Sequence, residues 1–302
     1  MATNELTQDQ QPTGDDEHDE GHGLTLSLGV KLAAGRDADV FDLGDGRVLR
    51  RNRRGESAKR EAEIIRHARA SSYPAPAVYE QRGPDLVMER LSGPTMLEEL
   101  GRRPWLVWRH ARMLATLHRR LAIISPLDWL KPFPPVPDGG EQTVSQASSP
   151  AGSRATVPPV PALASSGAAL PSRSGAAVPP GPDGADCLLH LDLHPANVIL
   201  TQRGPVVIDW SSAKRGTVAS AVALTWVIMA TSQLPDAGLK SRMIGLVRRL
   251  LVSEFLRHAD RPAVLRQLPA IARFRLSDRN LLPSERPAIY ALARRAGVRL
   301  SP

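Results

Sequence analysis

Between Lys131 and Asp186 the sequence holds twelve of its 27 prolines, set among Ala, Ser and Gly with neither a helical nor a strand period. Such a stretch cannot bury enough apolar surface to offset its ordering entropy, so whatever folds is built from the segments on either side. Lengthening a connection from about 10 to about 54 residues costs only about 1.5 kcal/mol of closure entropy, against a typical domain stability of about 5–15 kcal/mol. The stretch therefore reads as a disordered insert, 131–186, that interrupts one fold without dividing it. Residues 1–23 carry seven acids and no Lys or Arg, and read as a disordered acidic tail.

The rest of the chain is rich enough in apolar residues to fill a core, at 42% of the whole sequence. Its longest apolar run, Ala221 to Ala230, is shorter than the roughly 18 residues a membrane-spanning helix needs, and no basic-then-apolar leader opens the chain. With one cysteine, Cys187, there is neither an internal disulfide framework nor a multi-cysteine metal cage. A cytoplasmic protein with no membrane partner is expected. The net charge of +8 understates the basicity of the foldable part, where 39 basic residues face 24 acids. Only five of the 39 are Lys, a bias that accompanies GC-rich coding, so Arg abundance alone does not indicate nucleic acid as a partner.

Alternation and turn signals predict strands at Leu24 to Val30, Ala38 to Leu43, Arg47 to Arg51, Ala77 to Glu80 and Asp85 to Arg90, with Gly44-Asp45-Gly46 as a hairpin turn. A helix over Glu56 to Ala70 places Ile64, Ile65 and Ala68 on one face. From Pro104 the pattern turns helical: Leu106, His110, Met113, Leu114, Leu117 and Leu121 trace one stripe, and Trp105 and Trp108 beside it read as packing residues. After the insert come strands at Cys187 to Leu191, Val198 to Thr201 and Pro205 to Ile208. Helices at about 218–232, 238–258 and 262–273 finish the chain. The expectation is an α+β fold of two lobes: a small antiparallel sheet over 24–95, and a larger helical part over 96–302 that carries the insert.

The most informative stretch is His190-Leu-Asp192-Leu-His194-Pro-Ala-Asn197, followed by Ile208-Asp209-Trp210. Its H-x-D-x-x-x-x-N spacing is that of a kinase catalytic loop, with a second Asp closing an apolar strand about a dozen residues on. From the His, Asp and Asn content, chance would supply the three-residue spacing about 0.006 times in a chain of this length. The stretch resembles the aminoglycoside phosphotransferase and choline kinase family, the small-molecule branch of the protein-kinase-like bilobal fold. The family's H-G-D-x-H-x-x-N loop matches His190 to Asn197 with Leu191 in place of Gly, and its I-D-W matches Ile208 to Trp210.

The resemblance implies ATP and Mg²⁺ as cofactors and a small-molecule hydroxyl acceptor as substrate. It implies Asp192 as the base or orienting group for the hydroxyl, with His190 bracing that catalytic loop. It makes Asn197 and Asp209 the metal ligands on the nucleotide phosphates. Gly35, between two strands, falls in the family's nucleotide-covering loop, and Arg50 stands where the family has a phosphate-gripping Lys. Of the two acids on the following helix, Glu61 falls within the stripe of Ile64, Ile65 and Ala68 and is expected to point inward toward Arg50, whereas Glu63 lies about 200° away. Glu89 and Leu91 fall in the segment whose backbone reads adenine. Leu114 to His118 matches the helix before the catalytic loop.

Three departures stand out. The Asp that braces the family's loop, in the helix after I-D-W, is replaced within Ser220-Ala221-Val222-Ala223; Arg50 replaces Lys; and the insert enters just before the catalytic strand. They leave open a pseudokinase or nucleotide-binding regulator, and a basic nucleic-acid-binding module on the C-terminal helices is a further alternative, although aromatic residues for stacking are few. From Lys240 to Pro302 fourteen basic residues face four acids, so the acceptor is expected not to be strongly cationic. Pro134 to Pro137 and Pro158 to Pro161 each form P-x-x-P, a docking pattern for an SH3-like partner.

Overall fold

A computed structural model describes residues 29–34, 37–134, 186–232, 239–278 and 281–300. The first part is a five-stranded antiparallel sheet of β1 (Lys31–Ala34), β2 (Ala38–Asp42), β3 (Arg47–Asn52), β4 (Val78–Arg82) and β5 (Asp85–Glu89), in the order β1-β2-β3-β5-β4. The β2–β3 hairpin turns through Gly44 and Gly46, whose φ values of 85° and 80° are open to glycine at little cost. Between β3 and β4 runs helix α1 (Lys59–Ala70). Because side chains alternate along a strand, Val48 and the β5 residues Leu86 and Met88 face α1 and its Ile64, Ile65 and Ala68. Leu49 and Val87 make a second small cluster with Phe41 and Leu43. Arg50, two residues beyond Val48, shares the α1 face.

The linker after β5 leads into α2 (Met96–Arg102), whose start is fixed by a capping box: Thr95 Oγ1 accepts from the Glu98 N–H and Glu98 Oε2 accepts from the Thr95 N–H. Then come α3 (Val107–Leu121), β6 (Pro132–Phe133), β7 (Cys187–Leu189), the hairpin of β8 (Val198–Thr201) with β9 (Gly204–Val207), and β10 (Lys214–Gly216). Helices α4 (Val218–Thr231), α5 (Leu239–Arg257), α6 (Arg261–Leu276) and α7 (Arg286–Arg295) complete the chain. Helix α4 carries no charged residue and packs against α3, α5, α6 and α7, which makes it the axis of the helical part. One core runs from Val48 and Ile64 through Leu114 and Leu189 to Phe255 and Ile289.

The arrangement is the expected α+β one, with an antiparallel sheet before a helical region, and it corrects several local expectations. Of the strand expected at Leu24 to Val30, residues 24–28 lie outside the described residues, and Gly29 and Val30 are not in a strand; β1 starts at Lys31. The insert boundary shifts, because Pro132 and Phe133 pair in parallel with Arg215 and Gly216 of β10, which also pairs antiparallel with β7. The P-x-x-P segments otherwise lie outside the described residues. A further helix, α7, follows the three expected at the end. Trp105 and Trp108 are exposed, not packed, at 66% and 46%. Among the described residues no helix is long and apolar enough to cross a membrane.

Candidate active site

The turn from β7 into the β8–β9 hairpin is built around a fully buried histidine. His190 Nε2 donates to the Ile208 carbonyl at 3.0 Å, its Nδ1 accepts from the Asp192 N–H at 3.2 Å, and its ring meets Trp210 edge-on at 4.6 Å. Both ring nitrogens are thus spent on backbone. Burial is the main reason its ring is held down to about pKa 4, against the pull of Asp192 and Asp209, so it stays neutral at pH 7. Leu191 follows with φ at 62°, the left-handed region that Gly adopts freely and Leu does not, and its side chain is buried in the core.

Asp192 is partly exposed and held by donors on both oxygens. Asn197 Nδ2 donates to Oδ2 at 2.8 Å and to the Asp192 carbonyl at 2.9 Å, while His194 Nε2 lies 3.2 Å from Oδ1. Burial alone would raise this carboxyl, but the hydrogen bonds from His194 and Asn197 hold it below its ordinary value. An ionised carboxylate so gripped can accept a proton from a hydroxyl brought to it. With Nδ2 committed to Asp192, Asn197 Oδ1 keeps its lone pairs free of any described partner. Ile208 N–H donates to the Asn197 carbonyl at 3.0 Å, which ties the end of β9 to Asn197. Asp209 then turns through φ 64°, and its Oδ1 accepts from the Ser211 hydroxyl at 2.9 Å.

From the sheet, Arg50 reaches across. Its Nη1 lies 2.7 Å from Glu61 Oε2 and its Nη2 lies 3.7 Å from Asp209 Oδ1, so one guanidinium joins α1 to the hairpin. Glu63 makes no such contact. Glu61 is buried, and burial with the nearby Asp209 charge pushes its carboxyl up to about 7, although Arg50 and the Trp210 N–H pull the other way. Glu89 is turned to structure: Oε2 accepts from the Ala77 N–H at 3.2 Å and Oε1 pairs with Arg203. Leu91 lies in the linker, where its backbone N–H and C=O have no partner among the described residues. Gly93 rests on β8: at φ 140° a Cβ there would lie 2.1 Å from the Leu200 carbonyl oxygen, so no other residue fits. Gly35 lies outside the described residues.

Three residues that the motif leaves unassigned join this site. His194 is one. The others are Thr225 of α4 and His118 of α3, both buried. The Thr225 hydroxyl donates to the Leu193 carbonyl at 3.0 Å and lies 3.2 Å from His118 Nε2. A hydroxyl has one hydrogen, so His118 must donate through Nε2. This pair ties the backbone of the Asp192 loop to α3 and α4. The available signal is that Thr225 is the one hydroxyl in the apolar run Ala221 to Ala230. Beyond His194 a cavity of about 500 Å³ opens between the loop, α2, α4 and α5.

No curated protein sequence matches the chain. Among solved structures, the aminoglycoside phosphotransferase APH(4)-Ia is similar at 17% identity, over 90% of this chain and 94% of that one, with a TM-score of 0.53. A thermostable mutant of APH(4)-Ia, in ternary complex with AMP-PNP and hygromycin B, is similar at 15% identity over 90% and 94%, with a TM-score of 0.52. A choline/ethanolamine kinase family protein from Mesorhizobium loti is similar at 14% over 91% and 89%, with a TM-score of 0.47. At these identities the first two likenesses show a shared, kinase-like fold. Residues 29–246, most of the chain, match the phosphotransferase enzyme family, APH. With a two-part fold of that kind and a sequence match over that span, the chain belongs to the APH phosphotransferase enzyme family.

Proposed function

We propose that the protein moves the γ-phosphate of ATP, in the presence of Mg²⁺, to a hydroxyl of a small molecule that is not strongly cationic. The observation that carries this reading is the convergence of Arg50, paired with Glu61, on Asp209, next to an ionised Asp192 held by Asn197. The AMP-PNP of the APH(4)-Ia complex supports an adenine nucleotide as donor.

Asp192 would take the proton of the attacking hydroxyl. The hydroxyl oxygen bonds to the γ-phosphorus as the bond from phosphorus to the β-phosphate oxygen breaks, leaving ADP. Asn197 Nδ2 keeps the carboxylate aimed, and His190 fixes the loop backbone. Arg50 presents a planar, two-pronged cation to phosphate oxygens, and Glu61 holds it in place. The unpartnered Leu91 backbone groups suit the polar edge of adenine.

The residues present fit a magnesium ion. Asn197 Oδ1 and the Asp209 carboxylate are oxygen donors of the kind it prefers, and water and phosphate oxygens supply the rest of its shell. When bound, Mg²⁺ supplies charge neutralisation on the phosphates. His194, Thr225 and His118 position the loop from its far side.

Calorimetric titration of ATP tests the reading, with and without Mg²⁺, on the wild type and Asp209→Ala. Metal-dependent binding that the variant loses supports it. Absence of binding to the wild type at millimolar ATP overturns it.

A further inference from the structure

The cavity beside the Asp192 loop has mostly apolar walls. Leu97 and Leu100 of α2, Met229 of α4, and Ile244, Val247 and Leu251 of α5 line it, as does His194, which lies 3.2 Å from the Asp192 carboxylate. Among the described lining residues there is no carboxylate. The ionisable ones are His194 and Arg248, and Arg248 gives one N–H to the Ser232 carbonyl at 2.6 Å. An ammonium entering this space would shed its water, find no anion in exchange and meet the Arg248 charge. An uncharged hydrocarbon body gains by entering, because it and the walls leave water together.

We propose that this cavity holds the body of the phosphate acceptor, and that the acceptor is an alcohol carried on an uncharged, apolar ring or chain. The proposal rests on the phosphotransferase reading for the fate of the hydroxyl. It goes beyond that reading in naming the substrate class and the surface that selects it. The alcohol lies along α2 and α5 with its hydroxyl at the His194 end. Its proton passes to Asp192, its oxygen bonds to the γ-phosphorus, and ADP leaves. Polyamino sugars are excluded by the walls, not by the loop.

The test uses the full chain and three probes: decan-1-ol, menthol and the polycationic hygromycin B. Calorimetric binding is measured without nucleotide, and phosphate transfer is followed separately from labelled ATP. Two variants put a carboxylate into the wall: Val247→Asp in the part-buried helix face, and Leu97→Asp, whose side chain is exposed enough to spare the fold. Thermal melting reports the fold of each. The expected result is that decan-1-ol or menthol binds the wild type and that both substitutions weaken it about tenfold or more, the effect of an unpaired charge in an apolar contact. Preference for hygromycin B, or binding of neither alcohol, overturns the proposal, as does full alcohol affinity in folded Leu97→Asp. Failure of ATP to bind overturns the phosphotransferase reading instead, and the alcohol titrations are read independently of it.

Discussion

Replacing Thr225 by Val keeps the volume of the side chain and deletes one hydroxyl. That oxygen serves two buried partners, the Leu193 carbonyl at 3.0 Å and His118 Nε2 at 3.2 Å, and His118 Nδ1 already lacks a partner. Water does not reach the position, since Thr225 and His118 are both about 2% exposed. The variant therefore leaves a carbonyl and an imidazole N–H unsatisfied, at about 1–3 kcal/mol each, so a loss of about 2–6 kcal/mol is expected. For a folded chain of this size that lowers Tm by roughly 4–24 °C. Thr225→Ser keeps the hydroxyl and loses one methyl, which costs about 1 kcal/mol. Differential scanning calorimetry of wild type, Thr225→Val and Thr225→Ser at one pH decides the matter. A Val variant that melts within about a degree of wild type, or no lower than the Ser variant, refutes the hydroxyl as the brace of the loop.

Arg50→Met removes the cation between Glu61 and Asp209, and a charge-assisted contact of that kind is worth about 1.5–3 kcal/mol, so calorimetry should show ATP affinity falling about tenfold to a hundredfold. Asp192→Asn retains a partner for Asn197 but no longer accepts a proton, and phosphate transfer should fall about 10²- to 10⁴-fold while ATP still binds. Trp210, fully buried with Nε1–H on the Val207 carbonyl and its ring against Tyr73 and His190, should cost about 3–5 kcal/mol as Trp210→Ala in thermal unfolding. Burial holds His118 and His190 near 3 and 4, below the ordinary 6.5, so as pH falls from 6.5 the unfolded chain takes up two protons that the folded one refuses, and stability is lost. Glu61, near 7 folded against 4.5 unfolded, is protonated only in the folded chain between about pH 5 and 6 and offsets one of them. Glu61→Gln should then steepen the loss of stability with falling pH by about 1.4 kcal/mol per unit, which urea titrations across that range measure; an unchanged slope refutes the assignment.

The Asp192, Asn197 and Asp209 constellation is legible in the sequence because one short strand–loop–strand unit carries all three, and their spacing is set by the hairpin itself. The inward face of Glu61 is legible for a similar reason, since helix phase separates it from Glu63 by geometry alone. Contacts that depend on packing between distant segments are not. Nothing local marks Thr225 as the partner of Leu193, 32 residues away, or of His118, 107 residues away. The same holds for β6 and β10, two and three residues long, which are strands only through pairing with each other and, for β10, with β7. The apolar cavity escapes too, because its walls come from three helices far apart in the chain. The exposure of Trp105 and Trp108 fails for the opposite reason: a large aromatic next to a buried stripe looks inward until the helix is rotated into place.

Strand β10 lies between β6 and β7, pairing with Pro132–Phe133 on one side and Cys187–Leu189 on the other. Two strand spacings put the points where the chain leaves and returns only about 10 Å apart, both held by the same backbone ladder. Length added or removed between them changes neither anchor, so insertions and deletions in the gene can accumulate there without reaching the Asp192 loop. The same point is where an experimenter would open the chain for a circular permutant or seat a reporter domain, leaving the rest of the molecule's connectivity as it is.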